Sequence, residues 1–247
     1  MIFTIYEIFN SNAALALNMR LEEAKLRAAE KALKMVKDGM VLGLGSGSTV
    51  AKFIKLLGEK IGYEFTEIYG VPSSYDTEIL AREVGIKIVS LNDYFPDLAV
   101  DGADEVDRDF NLIKGGGGCH TREKIVDYSS GEFVVIVDYT KLVTRLGLRK
   151  PIPIEVLPFA LRLVIRTLSR LGRAEIRRCK GGKLGPVVTD NGNFIVDLNY
   201  GRPIEDIEAL DRELKSIPGV IETGLFYGSK VSKVVVGYPD RAEILFK

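Results

Sequence analysis

Histidine occurs once in the chain, at position 120, and cysteine twice, at 119 and 179. One histidine excludes a His-rich zinc site and any Ser-His-Asp triad with a spare histidine. A triad through His120 stays open, with nothing else to support it. The cysteines are too far apart for a Cys-x-x-Cys metal pair. Two of them in a chain of this size fit a reducing compartment better than a disulfide framework. An excess of either charge is also missing. Lys+Arg and Asp+Glu number 34 each, for a net charge of zero. That counts against a general nucleic-acid binder, which carries a basic excess or patch. No run of like charges forms an interaction tail, and no apolar run is long enough to span a bilayer. The length allows a substantial core in one large domain or two smaller ones.

Polar groups concentrate in one stretch. Asp101-Gly102-Ala103-Asp104-Glu105 follows the apolar Leu98-Ala99-Val100, and Lys114-Gly115-Gly116-Gly117-Gly118-Cys119-His120-Thr121-Arg122-Glu123-Lys124 comes after a short polar interval. Four glycines let the backbone take positive φ and approach a ligand closely. Carboxylates, an ammonium and such a loop together read as a polar active site. A flexible linker would suit the glycines alone, but apolar segments lie on both sides.

Along the chain, residues 1–18 do not fit the periodic pattern that begins at Leu21, and they lack the positive start of a signal peptide. Either Met19 is the natural start or these residues are a poorly packed extension, with an interfacial arm as the functional alternative. Leu21, Ala24, Ala28, Ala32 and Met35 recur at helical spacing and predict a helix over residues 21–37. A buried strand over 40–44 leads through Gly45-Ser46-Gly47-Ser48-Thr49 into a helix over 50–57. Strand, glycine turn and helix aim N–H groups at an anion. The turn lacks the ending of a Walker A loop and is not a full dinucleotide fingerprint. A phosphate cradle fits it, although a tight turn needs no ligand. Strands are expected over 65–71, 86–90, 98–100 and 133–137. Helices are expected through residue 83 and over 121–128, the second with Thr121 as N-cap. This alternation implies a mostly parallel sheet covered on both faces. Ligands sit beyond the carboxyl ends of such strands, so residues 46–49, Ser73, Asp101, Asp104, Lys114 and Lys141 should converge on one edge.

From Gly147 the pattern changes. Strands over 152–156, 174–179, 194–198 and 220–226 alternate with helices over 158–171 and from Pro203 to 216. The order β-α-β-β-α-β is that of the ferredoxin-like unit. Strands over 231–236 and 242–246 return to the first domain. The expected fold is therefore α/β, a Rossmann-like mostly parallel sheet with an inserted ferredoxin-like α+β domain. The expected units are an extension over 1–18, a catalytic domain over 19–147 and 229–247, and the inserted domain over 148–228. Asp190-Asn191-Gly192-Asn193 reads as a hairpin turn, which needs no function.

Gly45-Ser46-Gly47-Ser48-Thr49, Asp101-Gly102-Ala103-Asp104-Glu105, Lys114-Gly115-Gly116-Gly117 and Thr121-Arg122-Glu123-Lys124 resemble, in order and spacing, ribose-5-phosphate isomerase of type A. Val187-Val188-Thr189-Asp190-Asn191-Gly192-Asn193 and Ile217-Pro218-Gly219-Val220 are similar to that family's second domain. The resemblance runs from Met19 to the C-terminus. It implies interconversion of D-ribose 5-phosphate and D-ribulose 5-phosphate in the pentose phosphate pathway, without metal or cofactor. It also implies a cytoplasmic homodimer or homotetramer whose partner is a small sugar phosphate, with no nucleic acid or membrane. Glu123 matches the catalytic base, and Asp101, Asp104 and Lys114 match residues around the sugar. Lys25, Ser46, Gly47, Ser48, Thr49 and Lys141 match substrate-binding positions, as do Gly102, Ala103, Gly115, Gly116 and Gly117. His120 stands where a small or apolar residue is expected, and residues before Met19 have no counterpart.

Aldose–ketose isomerisation moves a proton between C2 and C1 through an enediolate, and one carboxylate can remove and return it. Lys114 and the glycine N–H groups suit the developing oxyanion. Without the glycine loop, Glu123 would read as an ordinary acid at a helix start. For Lys25 and Lys141 the competing reading is a solvated surface lysine. Two other functions share the architecture. These are acyl-CoA transfer through a glutamate nucleophile and amino-sugar-phosphate deamination, and the Asp-Gly-Ala-Asp pair favours sugar hydroxyls over CoA. A sugar-phosphate sensor without turnover would carry a DNA-binding helix pair and lose the base.

Overall fold

A computed structural model describes the backbone over residues 2–247 and the side chains over 15–247. The chain runs α1 (Ile2–Leu33), β1 (Val41–Leu44), α2 (Ser48–Gly58), β2 (Tyr69–Pro72), α3 (Tyr75–Glu83), β3 (Lys87–Ile88), β4 (Leu98–Asp101), β5 (Glu105–Val106), β6 (Leu112–Ile113), α4 (His120–Ser129) and β7 (Glu132–Asp138). It continues through β8 (Ile152–Val156), α5 (Leu161–Leu168), β9 (Arg173–Ile176), β10 (Phe194–Asn199), α6 (Ile207–Lys215), β11 (Val220–Thr223), β12 (Leu225–Phe226), β13 (Lys233–Gly237) and β14 (Ala242–Leu245).

Seven strands form one sheet in the order β14-β13-β7-β4-β1-β2-β3. Every pair in it is parallel except β13 with β14. Its central strands are continuous apolar runs because both faces are covered. Leu42, Leu44, Val100, Val134, Ile136 and Val235 are fully buried there. Ala24, Ala28 and Ala32 of α1 are also fully buried, and their small side chains let the helix lie close to the sheet. β1, β4 and β7 are neighbours and end at the same edge, so residues 45–49, 101–104 and 138–141 leave the sheet side by side.

The second sheet has the order β11-β8-β10-β9, all antiparallel, with α5 and α6 supplying its apolar cover. Ile152, Ile154, Val156, Val196 and Leu198 pack there with Val164, Leu168 and Leu214, all without exposure. Burial of each such side chain contributes about 1.5–3 kcal/mol. This is the β-α-β-β-α-β arrangement expected, beside a Rossmann-like parallel sheet.

Several elements differ from expectation. α1 does not begin at residue 21: its backbone is helical from Ile2 without a break. The packing expected to be poor over 1–14 lies outside the described side chains, while Leu15, Leu17 and Met19 are exposed. The strand expected over 65–71 begins only at Tyr69, because the N–H groups of Thr66 and Glu67 donate to the Asp38 carboxylate, each at 2.8 Å. α6 begins at Ile207 rather than near Pro203, where Asp206 caps it by accepting from the N–H of Ala209 at 2.9 Å. The strand expected over 220–226 is two strands. β11 belongs to the second sheet, and β12 joins β6 and β5 in a three-stranded sheet. Gly224 lies between them, donating to the Pro153 carbonyl at 2.7 Å and accepting from the N–H of Lys114 at 2.9 Å.

Candidate active site

The polar loops beyond β1, β4 and β7 enclose a cavity of about 160 Å³. Lys25, Ser46, Gly47, Ser48, Thr49, Gly102, Ala103, Asp104, Lys114, Gly115, Gly116, Gly117, Glu123 and Lys141 line it, with Ile136, Val137 and Asp138 of β7. The structure thus brings together nearly all the residues singled out in the sequence. Asp101 lies just beneath the lining, fully buried. Ser73 does not join the cavity; it is buried, and its N–H continues the pairing with β1 by donating to the Leu44 carbonyl at 2.9 Å.

One end of the cavity is the entry to α2. Gly47 caps that helix with φ of 93° and no side-chain bond to the first turn. Few residues other than glycine take that backbone conformation. The first N–H groups of α2 therefore remain available to an anion, with the helix dipole aligned to favour it. Ser48 and Thr49 place hydroxyls beside them. Lys25 of α1, which pairs with Glu22 at 2.7 Å, and Lys141, from the short turn after β7, also line the cavity.

The other end is a buried charge cluster. Lys114 Nζ lies 2.9 Å from Asp101 Oδ2 and 3.3 Å from Glu123 Oε2. It donates to the Gly102 carbonyl at 2.5 Å and sits 5.3 Å from the centre of the Phe226 ring. Asp101 Oδ1 accepts from the N–H groups of Ser46 at 3.1 Å and Gly102 at 2.6 Å. The approach requires glycine at 45, where a Cβ would lie 2.1 Å from that oxygen. Glu123 Oε1 accepts from the Ser46 hydroxyl at 2.5 Å, and Asp104 Oδ2 accepts from the N–H of Gly116 at 2.7 Å.

Burial raises the Glu123 pKa, and the nearby Asp101 raises it further. Lys114 and the Ser46 hydroxyl act against that rise. Burial disfavours the Lys114 ammonium, yet the surrounding carboxylates of Asp101, Glu123 and Asp127 outweigh it and hold the lysine charged. Two residues in the cluster escaped the sequence reading or stayed open in it. Asp127 lies one turn after Glu123 on the same face of α4, buried, with its carboxyl hydrogen-bonded to that of Asp101 and no other donor on either oxygen among the described residues. Burial and the charge of Asp101 push its carboxyl well above the ordinary 3.8. The i, i+4 spacing from Glu123 was visible in the sequence, but only tertiary packing shows which groups meet it. His120 is fully buried behind the loop, where a Cβ on Gly115 would lie 2.7 Å from its Nδ1. Burial lowers its pKa to about 4, so it is a neutral imidazole that does not line the cavity.

Thr121 is not the cap of α4. The helix begins at His120 after Cys119, and the Thr121 hydroxyl donates instead to Glu155 of β8 at 2.5 Å. Among the described residues, no group of three or more His, Cys, Asp or Glu side chains is arranged to hold a metal ion.

Residues 69–241 match the family model described as ribose 5-phosphate isomerase A (phosphoriboisomerase A). The chain is 51% identical over 230 residues to ribose-5-phosphate isomerase A of Methanocaldococcus jannaschii, covering 93% of this chain and all of that one. It is 51% identical over 223 residues to the protein of that name from Archaeoglobus fulgidus, covering 90% of this chain and 98% of the relative. A solved D-ribose-5-phosphate isomerase in complex with phospho-erythronic acid is similar at a TM-score of 0.89 and 48% identity, over 92% of this chain and 99% of that one.

Proposed function

The chain belongs to the ribose 5-phosphate isomerase A family, and from that premise we propose how its cavity works. It is an isomerase that interconverts D-ribose 5-phosphate and D-ribulose 5-phosphate. The phosphate lies at the entry to α2, held by its free N–H groups, the hydroxyls of Ser48 and Thr49, and the ammonium groups of Lys25 and Lys141. That places the C1–C2 end of the open-chain sugar against the buried cluster.

There Glu123 is the base. It takes the proton from C2 of the aldose, the hydroxyl proton passes from O2 to O1, and Glu123 returns its proton to C1. The enediolate formed between these steps carries negative charge on the two oxygens. Lys114, itself buried, and the N–H groups of the glycine loop stabilise it. Asp101, which touches Lys114 and not the cavity, keeps that lysine charged and fixed. Asp104, on the lining, hydrogen-bonds the sugar hydroxyls and assists ring opening. The Ser46 hydroxyl holds the Glu123 carboxylate toward the substrate.

The observation that carries this reading is the pairing of Glu123 with Lys114 at 3.3 Å, inside a cavity whose opposite end is a free helix N-terminus. Phospho-erythronic acid joins a phosphate to a carboxylate, and its two ends match the two ends of this cavity. The unit over 19–147 and 229–247 is proposed as the catalytic domain, with 148–228 inserted and 1–18 an extension. The enzyme is proposed to act in the cytoplasm as a homodimer or homotetramer, without a cofactor. Among the described residues no helix is long and apolar enough to cross a membrane. A coupled assay of ketose formation from ribose 5-phosphate, with and without chelator, tests the reaction. Equal rates in both are expected. Loss on chelation, restored by a divalent ion, would overturn the metal-free mechanism.

A further inference from the structure

The glycine loop is held from outside the cavity by the other sheet. Arg177 comes directly after β9, and its Nη1 donates to the carbonyls of Gly115 at 2.7 Å and Gly116 at 3.1 Å. Its Nε and Nη2 donate to the two carboxylate oxygens of Asp197 on β10, at 2.8 Å and 2.5 Å. Both side chains are largely buried, at 15% and 20% exposure. A bidentate pair of this kind fixes the guanidinium plane as well as its charge.

Peptide geometry carries that constraint into the cavity. The C=O of one residue and the N–H of the next lie on opposite edges of one plane. Turning the carbonyls of Gly115 and Gly116 toward Arg177 therefore turns the N–H groups of Gly116 and Gly117 the other way. The N–H of Gly116 meets Asp104 at 2.7 Å. The N–H of Gly117, a residue on the cavity lining, donates to no acceptor among the described residues. A run of glycines has no side chains to hold its own peptide planes. The Gly118 N–H bonds the Gly115 carbonyl at 3.0 Å across the turn, but within the loop nothing bonds the Gly116 carbonyl, which Arg177 alone meets among the described residues.

We propose that Arg177, fixed by Asp197, is a positioning residue for the isomerisation: it locks the two peptide planes so that the Gly117 N–H faces the enediolate oxygens. The proposal rests on the reading of the cavity as the isomerase site. Arg177 touches no substrate, and its guanidinium acts through the loop. Lysine cannot replace it, because one ammonium cannot span two carbonyls and also meet Asp197 on two oxygens.

The test uses Arg177→Met, Arg177→Lys and Asp197→Asn in the full chain. Each is assayed for kcat and KM with ribose 5-phosphate, for inhibition by phospho-erythronic acid and by inorganic phosphate, and for thermal unfolding. Loss of one oxyanion donor costs about 10²–10³ in kcat. A fall of about that size is expected in Arg177→Met, with KM little changed. Inhibition by phospho-erythronic acid should weaken strongly, because its carboxylate meets the loop, while inhibition by inorganic phosphate stays as in the wild type. Arg177→Lys should not restore kcat, and Asp197→Asn should show the same split to a smaller degree. A folded Arg177→Met with wild-type kcat and wild-type phospho-erythronic acid inhibition overturns the proposal. So does equal weakening of both inhibitors, which marks general loosening. If Arg177→Met does not fold, Asp197→Asn decides by the same split. Absence of competitive inhibition by phospho-erythronic acid in the wild type overturns the reading of the cavity, and this proposal with it.

Discussion

At the α2 end of the cavity the polar groups are backbone N–H groups and hydroxyls near the surface, with Ser48 exposed and Thr49 half-buried. At the other end they are full charges out of water, with Asp101, Lys114 and Glu123 between 0 and 4% exposed. The difference matches two tasks. A phosphate dianion arrives charged and leaves charged, so the first end needs only fixed dipoles and half-buried lysines. The proton transfer creates a new charge, and fixed charges in a dry site act on it far more strongly than they would in water. The buried end is consequently the fragile one. Its carboxylates are tolerable only while Lys114 answers them.

Lys114→Met breaks the comparison most severely. Removing one partner of a buried ion pair costs about 3–5 kcal/mol, and loss of an oxyanion donor costs about 10²–10³ in kcat. A large drop in melting temperature together with near-complete loss of turnover is expected. Turnover close to normal in a folded variant would show that the ammonium does not face the developing charge.

Thr49→Val probes the open end. A hydrogen bond to a charged group is worth about 1.5–3 kcal/mol, so KM for ribose 5-phosphate and the inhibition constant of inorganic phosphate should both rise at least about tenfold. The melting temperature and kcat should hold. Gly47 is a poorer probe, because its φ of 93° makes any side chain there strain the backbone as well. A drop in kcat with KM unchanged for Thr49→Val would remove the phosphate from this end.

Asp127→Asn sharpens the comparison with a smaller effect that depends on pH. The folded carboxyl of Asp127 lies well above its ordinary value of 3.8, so the folded state holds a proton that the unfolded state releases. This contribution to stability is complete below the ordinary value and is lost as pH rises toward the raised one, by about 1.4 kcal/mol per pH unit. Asparagine has no such proton. Melting temperatures tracked from pH 4 upward should therefore fall less steeply in the variant. Parallel curves would show that Asp127 is ionised in the fold. The raised pKa of Glu123 has the same sign for activity: kcat/KM should fall on the acid side at a higher pH than an ordinary glutamate would cause.

The open end was legible in the sequence because its signal is local. Gly45-Ser46-Gly47-Ser48-Thr49 between an apolar run and a helix is one contiguous motif. The parallel sheet was legible for the same reason, from β-branched runs such as residues 133–137. The buried end was legible only in part. Asp101, Lys114 and Glu123 stand in recognisable motifs, but Lys114 is carried by β6 of a small sheet with strands of two residues. Periodicity has nothing to measure in strands so short, and the interval between Val106 and Leu112 read as polar loop. The roles of Thr121, Arg177 and Glu155 were hidden because each is settled by a partner from a distant segment. Thr121 looked like a cap until Glu155, 34 positions away, accepted its hydroxyl. The turn Asp190-Asn191-Gly192-Asn193 is also more than a connection. Asn191 and Asn193 donate to Glu155 at 3.0 and 2.8 Å, and Arg122 donates to Asn191 at 2.8 Å. The second sheet thus holds the first turn of α4 beside Glu123.

Central to all of this is the claim that Glu123 carries the proton between C2 and C1. The direct measurement is deuterium entry into ribose 5-phosphate and ribulose 5-phosphate in D₂O, monitored by NMR for the wild type and for Glu123→Gln, with phospho-erythronic acid inhibition measured alongside. Glutamine keeps the size and the bond from Ser46 but removes the basicity. Wash-in and turnover should fall together by about 10²–10⁴-fold, while the inhibitor still binds. Wash-in near the wild-type rate in Glu123→Gln would contradict the account.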